Sequence, residues 1–131
     1  MPAKRKKFIF LAVVAIILVA LVIWIAWGNT ALELNTYTVS SAKLPQSFDG
    51  YRIAHVSDLH NAEMGKDNEK LLTILRDADP DMIAITGDLI DSRNTDIEVA
   101  LKFVREAVKI APCYYVTGNH EAGIKERYKE L

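Results

Sequence analysis

Cysteine, histidine and clustered positive charge are all scarce in this sequence. A single cysteine, Cys113, stands among 131 residues, which excludes a disulfide framework and a zinc site built from cysteines. Beyond residue 28, 12 basic and 17 acidic residues give a formal charge of −5, and such a balance predicts no nucleic-acid-binding patch. Apolar and aromatic residues are too frequent for a disordered chain, so a folded domain is expected.

One apolar run dominates the start of the chain. Residues 8–27 are twenty apolar residues without interruption, which is about the length that crosses a bilayer as a helix. All four basic residues of this region lie in residues 1–7, and no lysine or arginine follows until Lys43. This asymmetry predicts a cytoplasmic basic tail (1–7), a single transmembrane helix (8–27) in the cell membrane, and a domain on the extracytoplasmic face.

A cleaved signal peptide is the alternative interpretation of the same run. Signal peptides usually have an apolar core of about 7–15 residues followed by a small-x-small cleavage site. The run here is longer, and residues 27–31 (WGNTA) make a poor cleavage site. The sequence therefore favours an uncleaved anchor.

The rest of the chain alternates between strand and helix patterns. Residues 28–50 read as a linker with a first short strand at 36–40. The later segments alternate strand, helix, strand, helix and strand, at 51–57, 67–78, 82–86, 95–111 and 113–117. That order predicts an α/β fold with a parallel sheet. A further helix is expected to begin at residue 121.

Periodicity assigns a buried face to each of the two central helices. The first should bury Leu71, Leu72 and Leu75. The second should begin with a capping box formed by Thr95 and Glu98. Its buried stripe should consist of Ile97, Leu101, Val104 and Val108.

Each of the three later strands runs into a cluster of potential ligands. The clusters are Asp58 with His60, Asp88 with Asp91, and Asn119 with His120 and Glu121. Because ligands bind at the carboxyl ends of parallel strands, these side chains are expected at one edge of the sheet. Oxygen donors mixed with imidazole suit Mn, Fe or Zn. A carboxylate can bridge two such ions, and ion pairs of this kind commonly hydrolyse phosphoesters.

Two of the polar residues allow a structural as well as a functional interpretation. Asp91 is either an outer partner of the ligands or a solvated loop carboxylate, and the sequence leaves both open. His55 lies inside a strand, so we expect it to be a hydrogen-bonded core histidine.

Three blocks in order resemble the signature of the calcineurin-like metallophosphoesterases. The blocks are Asp58-Leu59-His60, Gly87-Asp88 and Gly118-Asn119-His120-Glu121, and with the N-terminal anchor they look most like the membrane-associated bacterial branch. The resemblance implies two divalent metal ions. It assigns Asp58 and His60 to the first, Asp88 to both and Asn119 to the second, with His120 as the catalytic residue and Glu121 orienting it.

The resemblance covers about residues 35–131, and it implies only part of the family's domain. The family completes its site with downstream histidines and adds a second sheet, so residues 51–131 are expected to be the N-terminal part of an α/β sandwich in an incomplete sequence. This chain alone is then expected to be inactive.

The expected function is a membrane-anchored, metal-dependent phosphoesterase that hydrolyses a phosphomonoester or phosphodiester by a two-metal mechanism. An anchored domain lies near lipid, so a lipid-linked phosphoester is one expected substrate. The alternative is a non-catalytic, membrane-tethered metal-binding or interaction module.

Overall fold

The structure is a computed structural model that describes residues 3–30 and 32–130. It divides into two compact units, Met1–Glu33 and Leu34–Leu131.

The first unit contains one continuous helix. Helix α1 spans Ala3–Thr30, which confirms the predicted helix over residues 8–27. Its segment Lys4–Gly28 has 25 residues, and at 1.5 Å per residue it is about 37 Å long, enough to cross a bilayer core. Its large apolar side chains, Trp24 and Trp27 among them, are exposed. By length and composition, α1 is therefore able to span a membrane.

The second unit is built on a three-stranded parallel sheet in the order β1-β2-β3. The strands are β1 (Ile53–Val56), β2 (Met82–Ile85) and β3 (Cys113–Tyr115). Helix α2 (Glu69–Ala78) connects the first pair and helix α3 (Ile97–Ala107) connects the second. The mixed α/β fold with a parallel sheet was predicted, with strands slightly shorter than expected.

The two faces of the sheet differ in burial. The register pairs Val56 with Ile85, and these residues lie on the buried face together with Ile83. The opposite face carries His55, which is exposed and lies 2.6 Å from the Thr86 hydroxyl through its Nε2 atom. The prediction of a core histidine is wrong, because side-chain alternation places His55 on the face opposite Val56.

Helix α2 buries the predicted residues. Leu71, Leu72 and Leu75 are all buried. The helix begins at Glu69, later than expected, because Asp67 and Asn68 have positive φ angles of 52° and 62°. These two residues belong to a short 3₁₀ turn that precedes the helix.

Helix α3 presents a different stripe to the core from the one predicted. Its buried residues are Ile97, Ala100, Phe103 and Ala107. Of the expected stripe beyond Ile97, Val108 is 52% exposed and the other two residues are half-buried. Spacings of three, three and four also fit a helix face, and here burial of the large Phe103 ring between small alanines decides the rotation.

The N-terminus of α3 is capped by Asp96, and the predicted capping box is wrong. The Asp96 carboxylate accepts a hydrogen bond from the backbone N–H of Glu98 at 3.1 Å. The Thr95 hydroxyl donates to the carbonyl of Asp91 instead, also at 3.1 Å. The Glu98 carboxylate accepts from Arg105. The Thr95 hydroxyl therefore forms a hydrogen bond within the loop that precedes α3, and the next residue, Asp96, caps the helix.

The segments before β1 and after β3 also differ from expectation. Residues 36–40 pair with no strand in the described part of the chain, and Tyr37 and Val39 are 84% and 80% exposed. A strand needs a neighbour for its backbone hydrogen bonds, and this segment has none there. After β3, the chain forms a short helix α4 (Asn119–Gly123) and then a 3₁₀ helix (Lys125–Glu130).

We expect Asp96→Ala to lower the free energy of unfolding by about 1 kcal/mol, because an N–H of the first turn of α3 loses its acceptor. Chemical denaturation measures the change. The control Asp77→Ala removes an exposed carboxylate elsewhere and should stay within about 0.5 kcal/mol of wild type. Equal effects of the two substitutions would contradict the assigned cap.

Candidate metal centre

The loops that follow β1 and β2 are joined by backbone hydrogen bonds. Three N–H groups of the first loop donate to three carbonyls of the second, at 2.8–3.2 Å: Asp58 to Gly87, His60 to Asp88, and Asn61 to Leu89. These bonds continue the pairing of the two strands past their carboxyl ends. The backbone therefore holds the two loops together at this edge of the sheet.

Several residues of these loops adopt left-handed backbone conformations. The φ angles of Asp58, His60, Asn61 and Asp88 are 56°, 46°, 60° and 52°. Asp and Asn tolerate this region, whereas for most other residues it costs about 1–2 kcal/mol. Neighbouring residues share such left-handed conformations where the surrounding structure enforces them, which is common at functional sites.

Potential ligand atoms converge in two overlapping groups. Asp58, His60 and Asp88 each offer one atom within 4.8 Å of the others. His60, Asp91 and His120 form a second group by the same measure. His60 belongs to both groups, so these five residues, which come from all three strand ends, lie around one centre.

The His120 ring lies between the second loop and His60. Its Nδ1 atom accepts a hydrogen bond from the backbone N–H of Ser92 at 3.1 Å and lies 3.5 Å from Asp91 Oδ1. Its ring meets that of His60 edge to face, with centroids 4.5 Å apart. No sequence pattern singles out Ser92, whose backbone N–H and hydroxyl both lie at hydrogen-bond distance from this Nδ1 atom.

Asp91 lies beside His120 and pairs with Arg93. Two Arg93 nitrogens donate to the carboxylate at 3.1 and 2.9 Å, and the backbone N–H of Arg93 adds a third bond. These bonds hold the pKa of Asp91 well below its usual range, with a further contribution from His120. Asp91 thus lies beside His120, and its role as an outer partner of the ligands stays a prediction.

Glu121 is a buried carboxylate with no exposed surface. It accepts hydrogen bonds from four backbone N–H groups. Its Oε2 atom binds those of Asp88 and Gly118, at 2.8 and 2.7 Å, and its Oε1 atom binds those of Leu89 and Ile90, at 2.8 and 3.3 Å. Burial raises the pKa of Glu121, but these backbone bonds outweigh it and the pKa lies below its usual value.

The expected task of Glu121, orienting His120, stays a prediction. Its hydrogen bonds go to the backbone of two loops, and the ring of His120 meets Ser92 and Asp91 instead. One of the four bonds had a signal in the sequence. A Glu three residues after an N-cap position, as Glu121 is after Gly118, often reaches back to the N-cap N–H.

Asn119 is the exposed first residue of α4. The next residue, His120, donates its backbone N–H to Asp88 Oδ1 at 2.9 Å. Asn119 therefore enters at the same edge of the sheet as the other predicted ligands, and its role as a ligand stays a prediction.

The donor set fits a divalent cation. In the described part of the chain, the buried Nδ1 atom of His60 has no hydrogen-bond partner, although buried polar atoms are rarely left unpaired. Carboxylates and imidazole together match the preferences of Mn, Fe or Zn ions. The other ring nitrogen of His60, Nε2, lies 3.7 Å from Asp58 Oδ1, so a cation beside these two residues would bind Nε2 and balance the neighbouring carboxylates.

Two glycines allow the loops to approach one another. A Cβ added to Gly87, whose φ is +95°, would lie 2.5 Å from the backbone nitrogen of Gly118. A Cβ on Gly118 would collide with the Asp88 carboxylate and lie 2.7 Å from the Asp88 nitrogen. Only glycine fits at these positions, so close packing of the backbone explains the glycines of the second and third blocks.

Comparison with known proteins identifies the family. Residues 51–131 match the family described as calcineurin-like phosphoesterase. More than half of the chain lies within this match, and the chain belongs to that family. The resemblance predicted from the three blocks is confirmed.

Individual relatives agree with this assignment. The uncharacterized metallophosphoesterase YkuE of Bacillus subtilis is 27% identical over 96 residues, which cover 70% of this chain and 34% of YkuE. A Danio rerio protein named transmembrane protein with metallophosphoesterase domain is 30% identical over 81 residues, 60% of this chain and 18% of its own length. The chain thus spans about a third or less of these relatives. No solved structure matches it.

We expect Gly87→Ala to destabilise the domain by several kcal/mol, since the new methyl group meets the Gly118 backbone and the residue keeps a positive φ. The matched control is Gly50→Ala. Gly50 has a φ of +74° but open space around it, so its variant bears only the conformational cost of about 1–2 kcal/mol. Thermal denaturation of both variants separates the two effects, and similar losses would contradict the packing argument.

Proposed function

We propose that the chain contributes the first three ligand blocks of a membrane-anchored phosphoesterase that uses two divalent metal ions. The observation that carries the proposal is the convergence of Asp58, His60 and Asp88 within 4.8 Å at the carboxyl edge of the sheet. Membership of the calcineurin-like family supports the reaction class. Residues 51–131 would form the first part of the catalytic domain.

The proposal assigns the ligands by their positions. Asp58 and His60 would hold one ion, Asp88 would be shared, and Asn119 would hold the second. When bound, the ions (Mn, Fe or Zn) neutralise the phosphate oxygens and acidify the attacking water. Asp88 is suited to sharing because its Oδ1 accepts the N–H of His120 and, among the described residues, its Oδ2 makes no hydrogen bond.

His120 is the proposed catalytic residue, acting at the leaving-group oxygen. Because the Ser92 N–H can only donate, Nδ1 is an acceptor in the neutral ring and the hydrogen lies on Nε2. In the protonated ring both nitrogens carry hydrogen, and Asp91 stabilises the Nδ1–H at 3.5 Å. The protonated ring is the acid: its Nε2 hydrogen passes to the leaving oxygen, and the neutral ring that remains keeps its hydrogen on Nδ1, beside Asp91.

The substrate class follows from the anchor. Helix α1 is apolar enough to span a membrane, and two relatives are named transmembrane proteins. A domain tethered close to a bilayer encounters lipid headgroups at high effective concentration. We infer a phosphomonoester or phosphodiester substrate, with a lipid-linked phosphoester as the preferred kind.

The ligand and catalytic assignments predict different effects for two substitutions in the full-length protein. Asp88→Asn should strip the metal, because it removes a shared carboxylate. His120→Ala should keep the metal and lower kcat about 10²–10⁴-fold on an alkyl phosphoester. That loss should shrink on a nitrophenyl ester, whose leaving group needs little protonation. Metal analysis beside activity on both esters measures these effects.

Asp77→Asn is the control, since it makes the same change at an exposed carboxylate on α2. It should leave metal content and kcat at wild-type values. If His120→Ala loses metal as fully as Asp88→Asn, then His120 is a ligand and its assigned role is wrong. Full activity of Asp88→Asn would contradict the metal-dependent mechanism.

The orientation of the anchor is tested by cysteine labelling in a Cys113→Ala background. We expect Asp77→Cys to react with a membrane-impermeant maleimide in spheroplasts, because the basic tail keeps residues 1–7 cytoplasmic. Lys4→Cys is the matched control and should react only after lysis. The reverse pattern would place the domain in the cytoplasm.

A further inference from the structure

The strongest unassigned feature is the Glu121 carboxylate, which is fully buried although it lies next to the catalytic His120. Its four hydrogen bonds all come from backbone N–H groups, three from the loop after β2 and one from the residue before α4. It contacts the loop that carries Asp88, not the side chain of a candidate ligand. Its hydrogen bonds therefore reach the Asp88 loop and not the ring of His120.

The loop that carries Asp88 is held from two sides. On one side, its carbonyls accept the N–H groups of Asp58, His60 and Asn61. On the other side, its N–H groups donate to Glu121. Asp88 and Leu89 have both of their backbone polar groups engaged in this way, so the loop has little freedom to move.

The hydrogen bonds of Glu121 act as a clamp on the loop that carries Asp88. The position of the Asp88 carboxylate depends on this clamp. The residue has a left-handed backbone with φ of 52°, which costs energy unless neighbours enforce it. Glu121 also binds the Gly118 N–H, and a Cβ on Gly118 would touch the Asp88 carboxylate. One side chain thus fixes the distance between the loop that carries Asp88 and the helix that carries His120.

We propose that Glu121 is a positioning residue that sets the metal affinity of the centre by clamping the Asp88 loop, and that it does so independently of His120. The inference rests on the proposed function in one respect, namely that Asp88 is a metal ligand. Partners that orient a ligand typically change metal affinity about 10–100-fold when they are removed.

Glu121→Gln is the sharpest variant because it keeps the shape of the side chain. Whichever way the amide is turned, its NH₂ group replaces an oxygen that accepts two N–H groups. Either Asp88 and Gly118 or Leu89 and Ile90 then lose their acceptor and face a donor. We expect the Mn²⁺ dissociation constant to rise about 10–100-fold, measured by electron paramagnetic resonance on the full-length protein in detergent.

Amide hydrogen exchange without metal tests the clamp directly. In Glu121→Gln, one pair among the four amides should exchange faster, while the amides of Ile83 and Ile85 in β2 keep their protection. Protection in β2 shows that the variant is folded. Unchanged exchange at all four amides would overturn the proposal. If β2 protection is also lost, Glu121→Asp, which keeps the charge, provides the affinity measurement, and wild-type affinity there would equally overturn it.

Two further variants show whether Glu121 acts through Asp88 or through His120. If Glu121 acts through Asp88, the loss of Mn²⁺ affinity should persist in full in a His120→Ala background, because the two effects are independent. Disappearance of the loss there would mean that Glu121 works through His120 and would overturn the proposal. Glu106→Gln makes the same charge change on the surface of α3 and should leave affinity unchanged.

The two proposals fail in different ways. Mn²⁺ affinity that drops in Asp88→Asn but not in Glu121→Gln overturns the positioning role and leaves the metal centre standing. Mn²⁺ affinity that is unchanged in Asp88→Asn overturns the metal centre, and the positioning role with it.

Discussion

The candidate centre depends on one buried interaction, the acceptance of four backbone N–H groups by the Glu121 carboxylate. An ionised carboxylate without partners would be too costly to bury, so the loops must close around it as the domain folds. The dependence is mutual, because without the carboxylate four N–H groups would lose their acceptor. The loop after β2 and the start of α4 therefore stabilise one another.

Positioning in this domain is done by the backbone, which leaves the ligand side chains available. The loops after β1 and β2 join through N–H and carbonyl groups, and Glu121 binds only N–H groups. Among the described residues, Arg93 pairs with Asp91, whereas Asp58 has only the imidazole of His60 at 3.7 Å and Asp88 has no ion pair. Carboxylates gathered in this way repel one another, which favours a cation between them.

Local patterns were enough to predict the strand ends, but not the details that long-range contacts decide. Strand periodicity and the polar residues that follow each strand located Asp58, Asp88 and His120 at one edge. The predicted stripe of α3 is wrong because two sets of residues fit a helical period, and only burial of the Phe103 ring selects one of them. The Glu121 carboxylate binds backbone groups about thirty residues away in the chain. Contacts of this kind produce no periodic pattern in the sequence.

The two histidines of the centre differ in what their surroundings allow, and this difference supports a division of labour between them. His120 has its Nδ1 occupied by Ser92 and Asp91, so only Nε2 remains for chemistry. His60 has a buried Nδ1 with no partner in the described chain, and its backbone is held in a left-handed turn. An imidazole whose Nε2 faces a carboxylate, as that of His60 faces Asp58 at 3.7 Å, is suited to bind a cation, whereas one held through Nδ1 is suited to deliver a hydrogen from Nε2. The same loop after β2 holds both rings in place, since its Asp88 carbonyl accepts the N–H of His60 and its Asp88 carboxylate accepts the N–H of His120.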